Sequence, residues 1–343
     1  MPDPSPQPSR QPSPLLALPG AVAGDGVDAP VAAHYGSFHA EQRRLVASEG
    51  FVDLSHRDVL RISGPDRLTW LHDLTTQFFR DLAPGRWTHA LLLSPQGHVE
   101  HAFTGVDDGE AFTLHTEPGR GEALLAFLTR MVFWSKVELE DVTDELAVTW
   151  RAKPGVAVAV EDAEEAGVEP HRQGYDLVPR EQLASYAAAA GPAAGLWAFE
   201  ALRIERGEPR LGIDTDERTI PNEVGWVGPA VHLDKGCYRG QETVARVHTL
   251  GRPPRRLVML HLDGTENRLP AAGSPLTVAG DERGKEIGFV GSSARHHELG
   301  PIALALVKRN VPIDATLVVD GMPAGQEVVV DPEVGLHVRP TLR

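Results

Sequence analysis

The runs RRLVMLHLDG (255–264), SPLTVAG (274–280), KEIGFVGSSA (285–294), PIALALVK (301–308), ATLVVDG (315–321) and QEVVVD (326–331) decide how the end of the chain folds. Each is short and apolar, and turn-forming residues separate one from the next, as in strands joined by tight turns. Six such strands at regular spacing are best satisfied as a small antiparallel barrel, because closure leaves no edge unpaired. GRPPRR (251–256) reads as the linker in front, so a C-terminal β-barrel domain is expected over 255–343.

Upstream, helix and strand signals alternate irregularly. HAEQRRLVASEG (39–50) is helical up to Gly50, and DVLRISGPD (58–66) alternates as a strand. DRLTWLHDLTTQF (66–78) sets Leu68, Leu71 and Leu74 at helical spacing. Residues 87–116 read as three strands with turns at Ser94-Pro95-Gln96-Gly97 and Asp107-Asp108-Gly109. GEALLAFLTRMVFW (121–134) is an amphipathic helix, and KVELEDVTDELAVTWRA (136–152) returns to strand. GYDLVP (174–179) is a strand and EQLASYAAAA (181–190) a helix; WAFEALRIERGEPR (197–210) is a helix closed by Gly207. The class is α+β. Seven of the first twenty residues are proline, so residues 1–30 are expected to be a disordered, extended tail and order to begin near Val31.

With 343 residues the chain can hold two or three domains and a full core. Its net charge of −15 argues against direct nucleic-acid binding or an anionic membrane surface as partner. No apolar run approaches the ~18 residues of a membrane span, and the N-terminus lacks a leader pattern. The single cysteine, Cys237, excludes an intrachain disulfide and an all-cysteine metal site, and it suits a reducing compartment. A cytoplasmic home is expected.

KGCYRGQETVAR (235–246) is the segment richest in chemistry. Cys237 lies between glycines, with Lys235 and Arg239 nearby and a helix expected after Gly240. Cations and a helix N-terminus both favour thiolate. The plain alternative is a small apolar residue packed in the core. Glu205, in ALRIERG, could accept paired N–H bonds from a pterin-like ring or simply sit on a solvated face with Arg203 and Arg206. His98 and His101 fall on opposite faces of a strand and His296-His297 are adjacent in a turn, so neither pair chelates well and no metal site is expected. Dinucleotide and triphosphate motifs are absent.

The motif KGCYRGQE resembles the signature of the YgfZ family, itself similar to the T-protein (aminomethyltransferase, GcvT) of glycine cleavage. SGPDRLTWLHDLTTQFFRDLAPGRWTHALLLSPQGHV (63–99), ALRIERGEPRLGIDTDERTIPNEVGW (201–226) and GFVGSSARHHELGPIALALVK (288–308) extend the likeness over about residues 31–340. The resemblance implies a three-subdomain cloverleaf: two intertwined α+β subdomains binding folate over 31–250, then the barrel. It implies tetrahydrofolate, or a one-carbon derivative, as cofactor. Glu205 would hold the pterin, with Asn222 and Glu223 beside it. Cys237 would be the reactive group, in a motif that also includes Lys235, Gly236, Tyr238, Gly240, Gln241, Glu242 and Arg246. T-proteins carry an Asp-Asp pair where this chain has His101-Ala102, so aminomethyl transfer would lack its carboxylate. The expected function is therefore folate-dependent support of iron–sulfur cluster assembly or repair, and indirectly of tRNA modification, with assembly or client proteins as partners. The alternatives are a true aminomethyltransferase or a non-catalytic folate-sensing module, and whether the chain is an enzyme stays open.

Overall fold

The computed structural model describes residues 11–152, 174–266 and 268–337. The chain divides into two compact units: Met1–Gly64, Pro84–Trp87 and Gly105–Phe199 form one, and Pro65–Ala83, Thr88–Thr104 and Glu200–Arg343 the other.

In the first unit, strand Asp58–Ser63 pairs antiparallel with Ala111–Thr116 on one side and Glu138–Asp141 on the other. A second sheet runs in the order Gly174–Pro179, Leu146–Arg151, Phe51–Asp53, Ala193–Ala194, and only its last pairing is parallel. Phe51 and Ala147 of that sheet pack against Leu183 of helix Leu183–Ala190 and against Leu15. The expected disordered tail is thus corrected from residue 11 onward. Pro14 opens a 3₁₀ turn, Pro14–Ala17, where its missing N–H is no loss, and Leu15 is buried. The Ser13 hydroxyl bonds the buried Asp53 carboxylate. Residues 1–10 lie outside the described residues.

Helix Gly121–Arg130 is shorter than its apolar pattern. Phe133 takes φ 44°, a left-handed conformation that no helix continues, and Trp134 is 98% exposed.

The second unit contains a closed barrel in the order Arg255–Leu262, Gly300–Lys308, Gly288–His296, Pro275–Val278, Leu317–Val319, Met322–Val328. The last strand returns to pair with the first, and every pairing is antiparallel. Its final strand starts four residues before the expected run at 326. Side chains alternate in period two. Val258, Leu260, Ala303, Ala305 and Val307 fill one core. Leu257, Met259, Ile302 and Leu304 face the other way and pack on Ala201 and Ile204 of helix Leu196–Glu205. Leu306 joins Leu91, Leu93, Trp226 and Val244. Both faces of these strands are therefore apolar, and the expected break at 250–255 does not separate two compact units.

A buried ionic knot fastens the helix to the barrel. Arg203 is 3% exposed. Its Nη1 donates to Asp214 Oδ2 at 3.1 Å and its Nη2 to Glu200 Oε2 at 2.7 Å. Asp214 Oδ1 accepts from the Ser292 N–H at 2.6 Å and Oδ2 from the Arg210 N–H at 2.7 Å. A Cβ on Gly291 would lie 2.1 Å from Asp214 Oδ1, so glycine lets the strand approach the carboxylate. Removing the guanidinium leaves Asp214 buried without its cation, which typically costs about 3–5 kcal/mol. Arg203→Ala is expected to lower stability by that order in urea unfolding.

Candidate functional site

The segment 208–240 that leads to the cysteine contains no long helix or strand; its one helical turn is Pro221–Glu223. Its order comes from buried polar pins. The Thr76 hydroxyl donates to the Ala230 carbonyl at 2.7 Å, and Gln77 Nε2 donates to the Pro229 carbonyl at 3.1 Å. Lys235 is buried, with Nζ donating to the carbonyls of His72 and Thr75 at the C-terminal end of helix Arg67–Leu74. These are the carbonyls a helix end leaves open. Burial pulls the Lys235 ammonium down to about 8, with Asp73 pulling it up and Arg80 down. Nζ also lies 5.2 Å from the centre of the Tyr238 ring. Tyr238 sits in the apolar cluster with Trp226 and Val244, and burial pushes its phenol up to about 12.

Between these anchors, Gly236 and Cys237 are exposed, so the thiol is presented on a loop tip and is not core packing. Gly240 ends the loop at φ 82° and precedes helix Gln241–Leu250. A Cβ there would lie 2.6 Å from the Ser94 carbonyl oxygen and 2.9 Å from Gly97 Cα. A Cβ on Gly97, at φ 84°, would in turn lie 2.7 Å from Thr243 Cβ. The two glycines interlock the turn 94–97 with the helix N-terminus. Gln241 donates its N–H to the Tyr238 carbonyl at 3.2 Å. Arg239 pairs with Glu100 at 3.1 Å, and Glu242 with Arg246 at 2.6 Å on the exposed helix face.

Glu205, the last residue of its helix, keeps 43% of its side chain exposed, with Oε2 3.4 Å from His296 Nε2. His296 is buried, and its Nδ1 accepts from the N–H groups of Glu298 and Leu299 at 3.2 and 3.1 Å. That places the ring proton on Nε2, which lies 3.4 Å from Glu205 Oε2 without a hydrogen bond between them. Burial lowers the His296 pKa, Glu205 raises it and His297 lowers it. Sequence reasoning reads His296 only as half of a poor chelating pair. Its signal would be a histidine at a strand end, followed by a turn whose N–H groups need an acceptor.

Glu223 is 1% exposed and already engaged: Oε2 accepts from the Ile220 N–H at 3.1 Å, and Arg255 binds both oxygens at 2.8 Å. Arg255 also grips Asp216, whose Oδ1 accepts from Nη2 at 3.0 Å. Glu223 therefore braces the turn that carries Asn222. Asn222 is buried, and its Oδ1 has no hydrogen-bond partner among the described residues. An exposed carboxylate and an unpaired buried acceptor suit a ring bearing several N–H donors. Each could accept an N–H of a pterin-like ring, whereas both Glu223 oxygens already hold Arg255. Cys237, Glu205 and Asn222 all belong to the second unit.

Ala102, at the position compared with the aspartate pair, packs against the apolar cluster of Leu91, Val99 and Trp226. His101 beside it is half-buried. Among the described residues no three His, Cys, Asp or Glu side chains gather as a metal site, and no helix is long and apolar enough to cross a membrane.

Residues 17–150 match the family model of the GCVT N-terminal domain. The fold is that of the glycine cleavage system aminomethyltransferase T from Bartonella henselae, with TM-score 0.73, 20% identity and coverage of 92% of this chain and 94% of that one. The chain is thus T-protein-like in fold and in its N-terminal domain. It is 26% identical over 322 residues to a chloroplastic Arabidopsis thaliana protein named as a transferase, covering 82% of this chain and 71% of that protein. An aminomethyltransferase of Streptomyces coelicolor is 27% identical over 329 residues, covering 84% and 86%. A mitochondrial iron–sulfur cluster assembly factor homolog of Mycosarcoma maydis is 26% identical over 233 residues, covering 61% of this chain and 57% of its own length.

Two outcomes follow from the local geometry. Gly240→Ala forces a strained φ and a backbone clash, and it should cost about 1–3 kcal/mol in chemical denaturation. Burial alone would raise the Asp216 carboxyl, but the hydrogen bonds from Arg255 and Thr219 outweigh it and bring the group down to about 2. Between pH 4 and 2 the unfolded chain then binds more protons, so this contribution holds above about pH 4 and disappears as pH falls through 2. Arg255→Ala should flatten that part of the stability–pH profile measured by urea unfolding.

Proposed function

We propose that this chain is a folate-binding protein of the T-protein fold that supports iron–sulfur cluster proteins through the thiol of Cys237. The observation that carries the reading is the placement of that thiol: exposed at a loop tip, two residues past one buried anchor and next to another. A side chain held this way can meet a partner or a reactive carbon without rearrangement of the core. In this reading a reduced folate supplies the one-carbon chemistry. Glu205, with His296 3.4 Å away, accepts the pterin N–H groups, and Asn222 Oδ1 takes a further donor. The similarity to a cluster assembly factor homolog supports the iron–sulfur assignment, and the same chemistry would reach tRNA modification only through cluster enzymes. Partners are then cluster assembly or client proteins. The excess of carboxylates suits a protein partner better than a phosphate backbone.

The similarity to aminomethyltransferases favours a second reading, aminomethyl transfer to tetrahydrofolate. Against it stands Ala102. That place carries a methyl group packed against an apolar cluster and no carboxylate.

Complementation of a strain lacking this protein tests the first reading. Wild type should restore cluster-enzyme activity and Cys237→Ala should not. Full rescue by Cys237→Ala would end the thiol role. Isothermal titration with tetrahydrofolate should show binding by wild type and at least tenfold weaker binding by Glu205→Ala. Lipoyl-protein-dependent turnover would favour the second reading.

A further inference from the structure

We propose that Lys235 is the positioning residue for Cys237: its buried ammonium, seated on the open carbonyls of helix Arg67–Leu74 and against the Tyr238 ring, fixes the exposed loop tip two residues away. The inference rests on reading Cys237 as the reactive group. Three observations carry it. Lys235 is 4% exposed although its neighbours Asp234 and Gly236 face solvent. Both of its hydrogen-bond acceptors, His72 and Thr75, belong to a helix end distant in sequence, so the side chain ties the loop to a preformed element. Its contact with Tyr238 links the two sides of the cysteine, because Tyr238 also accepts the Gln241 N–H that starts the next helix. On the other side of the cysteine the loop is held by Tyr238 in its apolar cluster and by the glycine interlock, so Lys235 is the anchor on the near side.

The same arrangement gives the loop a proton-coupled opening, with a sign opposite to that of a surface ion pair. Both of the lysine's hydrogen-bond acceptors are carbonyls, and no carboxylate is among them. Asp73 and Arg80 act on the ammonium from helix Arg67–Leu74 and the segment after it and oppose one another. His72 is held below its ordinary range by burial and then by Lys235 itself, and His232 acts on the same histidine. Tyr238 stays a neutral phenol. The closed loop therefore binds the Lys235 proton more weakly than an open, solvated loop does. Closure becomes more favourable as pH rises from about 8 toward the ordinary 10.5, and proton uptake favours opening.

Hydrogen exchange of the Gln241 amide in the full chain, corrected for base catalysis, reads the loop directly. Wild type should show protection rising about tenfold between pH 7 and 9, the change expected for one proton bound at about 8 in the closed loop and at the ordinary 10.5 in the open one. Lys235→Met should abolish that rise, whatever its effect on the absolute level, and amides of strand Gly300–Lys308 should show no such change in either protein. In parallel, the Lys235 ¹³Cε resonance of wild type should titrate near 8. A flat wild-type exchange profile, a ¹³Cε midpoint near the ordinary 10.5, or a rise that persists in Lys235→Met would each overturn the proposal. If Lys235→Met does not fold, the two wild-type measurements decide. None of these readouts involves folate or cluster enzymes, so failure here is distinct from failure of the proposed function.

Discussion

The constraint on which the second unit depends is the burial of Asp214 against Arg203. One carboxylate satisfies a guanidinium from helix Leu196–Glu205, the Arg210 N–H of the following segment and the Ser292 N–H of a barrel strand. A charge taken out of water is tolerated only with complete hydrogen bonding, so the three elements must arrive together. Glu205 and His296 lie on two of those elements, a few residues from the knot. Their spacing of 3.4 Å follows from the same arrangement that stabilises the fold.

Much of the fold is legible in the residues, and the failures are instructive. The barrel strands announce themselves because closure makes period-two alternation and turn residues agree. Helix Leu196–Glu205 ends where Gly207 marks its exit. The tail misleads because proline density looks the same in a solvated coil and in a chain pinned by one buried leucine. Leu15 and Ser13 make contacts far along the sequence, which composition does not encode. Helix Gly121–Arg130 misleads because apolar periodicity continues to Trp134 after the backbone has turned away.

The candidate site was partly legible. The short spacing KGCYRGQE marks Cys237, Lys235 and Tyr238, since glycines around a lone thiol have a local explanation in backbone freedom. Their division into exposed tip and buried anchors depends on helix Arg67–Leu74, some 160 residues away along the chain. The resemblance implies Glu223 beside the pterin, while its partner Arg255 opens a barrel strand where the sequence reads as linker. The sequence shows His296 only as half of an adjacent pair, because its meaning lies in what Nδ1 accepts, and that depends on the folded turn at Glu298 and Leu299.

The interlock of Gly97 and Gly240 has a mechanical meaning for the thiol. Backbones in contact without side chains between them leave no gap to take up, so the start of the helix after the loop cannot approach the hairpin further, and a shift of the hairpin toward it pushes the helix along. The hairpin is therefore a fixed ruler for the cysteine, and a change in length anywhere between strands Trp87–Leu93 and Val99–Asp107 would be felt as a displaced sulfur.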